Sequence, residues 1–280
     1  ILGEGPLWDW RTGDLFWIDI RRQQIFRHNL KSGQQTGQWT TSERIGCIGL
    51  TGTPETLLVA AGLTISLMNL ATGDSTVLAD LSAGRDRQRF NDGKVDSAGR
   101  LWVGTMHNTI REPRGTFYRV STDMDFQKQF GDFVIPNSVC MSPDDKTLYF
   151  ADSWQRTIWA FDFDIDAGKI SNRRVFCDLT EHTGQPDGST VDSDGYVWTA
   201  MYGMSQVIRF DPSGKVDRVI ELPASQLTCV AFGGENLDTL FVTSARQNLT
   251  PEQLEAEPLA GALFAFKTDV KGLPEAKFGG

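Results

Sequence analysis

The chain has 280 residues, of which 40% are apolar, so it is long enough to bury a sizeable core. Its net charge is −9, and no run of basic residues is longer than a pair such as Arg21-Arg22, so nucleic-acid binding is not expected. The most apolar stretch, residues 56–71, is interrupted by glycine and polar residues and does not predict a membrane span.

One apolar segment recurs six times along the chain, and its aromatic and β-branched residues predict a β-strand in each copy. The copies share a leucine or valine at their second position and occupy residues 14–20, 56–62, 100–106, 147–153, 196–202 and 239–245. The successive second positions are 42, 44, 47, 49 and 43 residues apart. A β-rich unit with this period predicts an all-β fold, a six-bladed β-propeller with about four antiparallel strands per blade. We expect a single domain that spans residues 1–280.

The neighbours of each copy supply the rest of a blade. Four turns rich in Asp, Gly or Pro each precede one of the aromatic strands, and they lie at residues 9–14, 96–100, 142–146 and 192–196. A third strand follows each copy, and a fourth is expected after it, for example at residues 35–39 and 215–222. The one segment that predicts a helix is residues 250–259, with Pro251 as its first helical residue.

The four cysteines give no support for disulfides. Cys47, Cys140, Cys177 and Cys229 are widely separated and form no CxxC pair. We therefore expect four reduced thiols that pack as small apolar side chains, which favours a cytoplasmic protein. Because the chain begins at Ile1 rather than Met, we also expect the full-length protein to contain residues upstream of it.

The first strand of each blade lines the central channel of a propeller, so equivalent positions on these strands converge on the axis. These positions lie 10 to 12 residues before the second position of each repeated segment, and they are Glu4, Gly46, Asn91, Asn137, Asp187 and Thr228. Four of the six carry a carboxylate or an amide. Two carboxylates and one or two amide oxygens suit a divalent cation, with open positions for water or substrate. The segments that contain these four polar residues could instead be ordinary turns. An ordinary turn, however, would not require a glutamate at position 4.

The remaining polar candidates have simpler interpretations. The three histidines are not spaced as metal ligands, and His107 is the one expected near the mouth of the axial pocket. Asp19, Asp152 and Arg246 follow aromatic strands and are interpreted as residues of the sheet ends. The chain contains no GxSxG motif and no nucleotide-binding glycine motif in its proper context.

Four segments resemble the signature segments of the regucalcin (senescence marker protein)/gluconolactonase family of sugar lactonases. They read LGEGPLWD, RFNDGKVDSAGRLWVGTM, PNSVCMSPDDKTLYFADS and QPDGSTVDSDGYVWTAMYG, and the likeness extends over nearly the whole chain. The resemblance implies a six-bladed propeller with one divalent cation (calcium, zinc, magnesium, manganese or ferrous iron) on its axis. By position it implies Glu4, Asn137 and Asp187 as metal ligands, Arg89 and Asn91 as substrate-binding residues, and Asp187 as the general base as well.

The activity that the resemblance implies is metal-dependent hydrolysis of an aldono-lactone, such as galactono-, arabinono-, xylono- or gluconolactone, to the aldonic acid. The partner is then a small sugar lactone, and the protein a monomer or small homo-oligomer. Two alternatives stay open: a metal-dependent esterase or organophosphate hydrolase on the same fold, and a calcium-binding propeller without activity. The set Arg89, Asn91 and Asp187 argues against the second, because cation binding needs no arginine that faces a sugar.

The chain departs from the family pattern at two places. Ser138 stands where the family usually has glycine, which puts a hydroxyl group beside the predicted metal centre. His107, Asn108 and Thr109 follow the GTM motif where some relatives have acidic residues, so the substrate preference is open. Any upstream strand that would close the last blade lies outside this sequence.

Overall fold

Antiparallel sheets repeat along the chain, and each contains one of the repeated aromatic segments as its second strand. The computed structural model describes residues 2–280, and within them there are six such sheets. The first three blades are formed by β1 (Gly3–Asp9), β2 (Asp14–Asp19), β3 (Gln24–Asn29) and β4 (Gln34–Thr40); β5 (Ile45–Thr51), β6 (Thr56–Ala61), β7 (Thr64–Asn69) and β8 (Ser75–Asp80); and β9 (Gln88–Val95), β10 (Leu101–His107), β11 (Gly115–Val120) and β12 (Phe126–Phe133).

The last three blades continue the same order of strands. They are formed by β13 (Pro136–Met141), β14 (Thr147–Asp152), β15 (Thr157–Asp164) and β16 (Lys169–Asp178); β17 (Gln185–Val191), β18 (Val197–Tyr202), β19 (Gln206–Phe210) and β20 (Val216–Glu221); and β21 (Leu227–Gly233), β22 (Thr239–Ser244) and β23 (Leu263–Lys267). The first strands contact one another in sequence, and β21 returns to β1, which closes the ring. The predicted six-bladed propeller is confirmed.

Most of the predicted elements agree closely with the structure. The second strands match the repeated segments to within one residue at each end, and fourth strands occur in five blades. In the described part of blade 6 the fourth strand is missing, because the chain after Lys267 leaves the sheet. The predicted helix forms but is shorter, α1 (Pro251–Ala256), and Thr250 caps it in a reciprocal capping box with Gln253. A short 3₁₀ helix, Ser153–Gln155, was not predicted.

The C-terminal strap, residues 270–280, crosses one face of the ring. Its backbone bonds to blade 6 through Gly272 N and Leu237 O (2.8 Å) and to blade 3 through Gly279 N and Gly99 O (3.0 Å). Between these points β24 (Lys277–Phe278) pairs in parallel with β5. Lys94 on β9 donates to Glu275 of the strap at 2.6 Å, so an ion pair ties the strap to the inside of the ring.

Buried aspartates in two of the predicted turns explain why these turns precede aromatic strands. Asp96 accepts from the Trp102 indole at 2.8 Å, and Asp192 accepts from the Trp198 indole at 2.8 Å. Each carboxylate also accepts backbone N–H groups of its own turn, which satisfies a buried charge and fixes the hairpin. The four cysteines are free and buried, as predicted, and burial raises the pKa of each thiol.

Among residues 2–280, no helix has the length and apolar character needed to cross a membrane.

Candidate metal centre

The first strands bring the predicted site residues to one cavity on the axis. Glu4, Arg89, Asn91, Asn137 and Asp187 all line this cavity, which has a volume of about 370 Å³. They come from four different blades and are separated by up to 183 positions in the sequence. We call this space the axial cavity.

The two equivalent positions without a carboxylate or amide have structural roles. A Cβ at Gly46 would lie 2.6 Å from the Asn91 carbonyl oxygen, so glycine permits close contact between blades 2 and 3. Thr228 Oγ1 contacts the Gly3 carbonyl oxygen at 2.6 Å and thereby joins blade 6 to blade 1. Neither residue lines the axial cavity.

Irregular strand pairing turns the site residues toward the axis. The register shifts between Glu4 and Leu7 in β1, between Asn137 and Cys140 in β13, and between Pro186 and Ser189 in β17. Such β-bulges bend a strand and re-aim a side chain, and they are common beside active sites. The periodicity of the sequence locates these positions, but it does not reveal the bulges.

Ser138 occupies the first bulge position of β13 in the left-handed conformation, with φ of 56°. This conformation favours glycine and costs about 1–3 kcal/mol for another residue. The Ser138 hydroxyl donates to the Asp187 carbonyl oxygen at 2.6 Å and accepts from Ser189 Oγ at 2.9 Å. It is fully buried and supports the backbone behind Asp187, so the hydroxyl lies beside the candidate centre, as the sequence predicts, without lining the axial cavity.

Glu4 and Asp187 form a pair of carboxyl groups close enough to share a hydrogen bond. Burial raises the pKa of both, and for Asp187 the charge of Glu4 raises it further. For Glu4, the charge of Asp92 is the second cause. Two desolvated carboxyl groups in contact are strained when both are ionised, and a bound cation relieves that repulsion.

The Asn137 amide has one orientation that its neighbours allow. Ser153 Oγ has a single proton, which it donates to the Pro186 carbonyl oxygen at 2.6 Å, so it can only accept from Asn137. Asn137 therefore directs Nδ2 toward Ser153 Oγ, at 2.8 Å, and Oδ1 away from it. In this orientation Asn137 Oδ1 accepts from Asn91 Nδ2 at 3.0 Å and lies beside the axial cavity.

Asn91 and Arg89 form the opposite side of the same network. Asn91 Nδ2 also donates to the Pro136 carbonyl oxygen at 2.9 Å, while Asn91 Oδ1 accepts from Arg89 Nη1 at 2.8 Å. These bonds fix the Asn91 amide so that its nitrogen, rather than its oxygen, points toward Asn137. Asn91 is thus poorly suited to direct contact with a cation. The family resemblance likewise implies that Asn91 binds substrate and is not a metal ligand.

The donor set fits a divalent cation. Glu4 and Asp187 supply carboxylates, and Asn137 supplies an amide oxygen whose direction is fixed, which are oxygen ligands that such cations accept. Within residues 2–280, no group of three or more His, Cys, Asp or Glu side chains has the geometry of a metal site. The candidate centre therefore depends on its amide oxygen as well as on its carboxylates.

A narrower channel of about 40 Å³ continues below the axial cavity, and Glu4, Asn91 and Asn137 line both spaces. Asp92 lies in this channel and accepts backbone N–H groups from Gly93 at 2.8 Å and Val139 at 2.9 Å. Burial is the main cause that raises the pKa of Asp92 to about 6. The acidic character of the hub thus extends below the candidate centre.

The structure adds lining residues that the sequence did not single out: Arg21, Arg44, Ser153, Tyr202 and Gln247. Two of them, Ser153 and Tyr202, end repeated aromatic segments, so their position in the repeat could have identified them.

Asp152 at a sheet end and His107 after the GTM motif are buried and bond to nearby residues. His107 is 4% exposed and bonds to Thr109 Oγ1 at 2.8 Å. It does not itself line the axial cavity, although its neighbours Met106 and Asn108 both do. Asp152 accepts from the backbone of Val134 and Ile135, both at 3.0 Å, and has the structural role expected of it.

Comparison with known proteins gives a consistent result. The SMP-30/gluconolactonase/LRE-like region matches residues 2–246. The L-arabinolactonase of Azospirillum brasilense is 35% identical over 282 residues, which cover 100% of this chain and 92% of the relative. The 6-deoxy-6-sulfogluconolactonase of Pseudomonas putida is 34% identical over 281 residues, which cover 100% of this chain and 96% of the relative.

Among solved structures, the calcium-binding protein regucalcin from Agrobacterium tumefaciens has a TM-score of 0.95 and 33% sequence identity, with 99% of this chain and 93% of that chain covered. The resemblance seen in the sequence is confirmed. The family match over most of the chain, the relatives at 34–35% identity and the shared six-bladed fold show that this chain belongs to the SMP-30/gluconolactonase/regucalcin family.

Proposed function

We propose that the protein is a metal-dependent sugar lactonase that hydrolyses an aldono-lactone to its aldonic acid. The observation that carries this proposal is the convergence of Glu4, Asn137 and Asp187 beside Arg89 in one cavity. The volume of about 370 Å³ lies within the range of roughly 300–1,000 Å³ that is usual for small-molecule sites. Two of the relatives are named as lactonases, which supports the same class of reaction.

Glu4, Asn137 and Asp187 would hold the cation. When bound, it would act as a Lewis acid toward the carbonyl oxygen of the lactone ring. Calcium, zinc, magnesium, manganese and ferrous iron all accept oxygen ligands of these kinds, so the donor set does not select among them.

Asp187 moves the proton in the proposed reaction. Its carboxylate accepts a proton from the water that attacks the ring carbonyl carbon, and it returns the proton to the ring oxygen as the ring C–O bond breaks. The products are a carboxylic acid and a hydroxyl group on one sugar acid. Because a lactone is an activated ester, even a carboxylate that contacts a cation is basic enough for this step.

Arg89 and Tyr202 orient the sugar. Arg89 uses Nη1 for Asn91 and for the Phe90 carbonyl oxygen (2.8 Å), whereas Nε and Nη2 form no hydrogen bond within residues 2–280 and remain for substrate. Tyr202 lines the cavity near Asp187, and burial raises the pKa of its hydroxyl, so it stays a neutral hydrogen-bond donor. Fixed donors of this kind hold the ring carbonyl near the base and so reduce the entropic part of the barrier.

A calcium-binding propeller without activity is the second candidate, favoured by the likeness to a regucalcin described as calcium-binding. The free Arg89 donors argue against it. The test is to strip the protein of metal, add each divalent cation back, and follow acid release from γ- and δ-lactones, aryl esters and organophosphates.

We expect lactone opening that depends on added cation and that Asp187→Asn abolishes. Asp194→Asn is the matched control, because Asp194 is an exposed aspartate in the same blade and lies outside the cavity. Cation binding without turnover of any lactone would favour the second candidate. Faster turnover of esters or organophosphates than of every lactone would favour an esterase.

A further inference from the structure

Three arginines from successive blades line one side of the axial cavity. Arg21 follows β2 in blade 1, Arg44 precedes β5 in blade 2, and Arg89 lies on β9 in blade 3. Arg89 is 9% exposed and belongs to the network with Asn91, whereas Arg21 and Arg44 are more exposed to the cavity mouth. The cavity therefore has a strongly positive side in a chain whose net charge is −9.

Two of these arginines lack a carboxylate partner. Within residues 2–280, neither Arg21 nor Arg44 forms an ion pair, and the one bond of the Arg21 side chain is from Nε to Gln247 Oε1 at 3.0 Å. The Arg44 guanidinium forms no hydrogen bond in the same part of the chain. Burial lowers the pKa of Arg89, and the positive charges of Arg44 and Arg21 lower it further against the opposing charge of Glu4, so both arginines repel Arg89.

The carboxylates that line the cavities near these arginines form no ion pair with Arg21 or Arg44 within residues 2–280. Among the described residues that line the axial cavity, only Glu4 and Asp187 are acidic, and they belong to the candidate metal centre. A side cavity of about 400 Å³ continues from the axial cavity between blades 2 and 3, and Arg44 and Arg89 line it together with Glu43. Within residues 2–280, Glu43 forms no ion pair with Arg44, so the Arg44 guanidinium has no direct carboxylate partner there.

We propose, on the basis of the lactonase function proposed above, that the substrate is a sugar lactone with an anionic group at the end of the chain remote from the reacting carbonyl. Arg21 and Arg44 bind this group, a carboxylate, sulfonate or phosphate, and Arg89 keeps its contact with the sugar ring. A guanidinium offers paired N–H donors in the geometry of an oxyanion and binds it more strongly than a hydroxyl. A neutral aldono-lactone would leave the charges of Arg21 and Arg44 without a partner.

The test compares kcat/KM for a neutral aldono-lactone with that of lactones of the same ring that carry a terminal carboxylate, sulfonate or phosphate. We expect at least one anionic lactone to exceed the neutral one by about tenfold or more, since tenfold corresponds to one additional charge-assisted hydrogen bond. The best of the three identifies the anion. In the double variant Arg21→Gln, Arg44→Gln the ratio of anionic to neutral kcat/KM falls to about 1, because the selective contacts are lost.

Arg22→Gln is the matched control, because Arg22 is next to Arg21, is exposed, and does not line the cavity. This variant should leave the ratio as in the original protein. A second readout is calorimetric binding of the products: the sugar acid with the best of the three terminal anions should bind about tenfold more tightly than the sugar acid with a neutral end, and the double variant should remove the difference.

The outcomes separate the two proposals. If neutral lactones are opened as fast as all three anionic ones, and the double variant leaves the ratio unchanged, the inference about the anion is overturned and the lactonase proposal stands. If no lactone is opened with any cation, the lactonase proposal itself fails. In that case, equal calorimetric affinities for the neutral-ended sugar acid and for all three acids with a terminal anion would also refute an anion site at Arg21 and Arg44.

Discussion

Replacing Ser153 with alanine tests whether the orientation of one amide sets the affinity for the cation. The Ser153 hydroxyl accepts a hydrogen bond from Asn137 Nδ2 at 2.8 Å and donates one to the Pro186 carbonyl oxygen at 2.6 Å. Without it, the Asn137 amide can rotate by half a turn and present nitrogen instead of oxygen to the metal centre. The fold should tolerate the change, because the Ser153 backbone N–H bonds to the Ile135 carbonyl oxygen at 3.0 Å independently of the side chain.

The magnitude follows from the bonds that remain. Residues that orient a metal ligand typically contribute about 10–100-fold in affinity. Asn91 Nδ2 still donates to Asn137 Oδ1 at 3.0 Å and favours the correct orientation, so we expect a loss near the lower limit, about tenfold or ~1.4 kcal/mol.

The assay is a calorimetric titration of metal-stripped Ser153→Ala with a divalent cation, with Ser213→Ala, an exposed serine in a turn, as the control. The double variant Ser153→Ala, Asn137→Asp should regain the affinity of the original protein, because a carboxylate presents oxygen in either orientation. An unchanged affinity in Ser153→Ala would show that Ser153 does not set the orientation of this amide. A loss without recovery in the double variant would show that the loss does not come from rotation of the amide.

Four further results are expected. Asp187→Asn should lower kcat/KM for lactone opening by at least ~100-fold, the usual contribution of a general base, in an acid-release assay. Ser138→Ala should lower the free energy of unfolding by about 2 kcal/mol, because a buried hydrogen bond is lost. Ser138→Gly should lower it by less than ~1 kcal/mol, because glycine also relieves the left-handed backbone. Urea unfolding measures both free energies, and equal losses would contradict this account. Glu275→Gln should lower the free energy of unfolding by about 2–3 kcal/mol in the same measurement. This is less than the ~3–5 kcal/mol expected for a fully buried ion pair, because Lys94 is 25% exposed. An unchanged midpoint of urea unfolding would mean that the ion pair does not anchor the strap. The metal-free protein should lose stability as the pH rises from about 5 to 8, because the raised pKa values of Glu4 and Asp187 make the folded state bind more protons than the unfolded state. Added cation should remove this loss. A melting temperature of the metal-free protein that does not change with pH would contradict the prediction.

The sequence predicts the fold well because each blade repeats one unit at nearly constant spacing. The same spacing brings Glu4, Asn137 and Asp187 into one set, since equivalent positions in a closed ring meet at its axis. These predictions need only the period and the residue types, both of which can be read along the chain.

The features that the sequence did not predict depend on contacts between segments without a common period. Arg21 and Arg44 lie in connections between blades, or between strands, whose lengths differ, so no alignment of the repeats places them together. The strap crosses several blades and has no counterpart in the other units. The direction of the Asn137 amide depends on Ser153 and on the Pro186 carbonyl oxygen of the next blade, and this chain of bonds appears only in three dimensions.

The most direct test of the account is the rate of lactone opening by metal-stripped protein as a divalent cation is added in measured amounts. We expect almost no activity before addition, a linear rise, and saturation at one cation per chain, with Glu4→Gln needing far more cation to reach its maximum. Full activity without any cation, or saturation that Glu4→Gln leaves unchanged, would contradict the claim that residues from three blades hold a single catalytic ion at the hub.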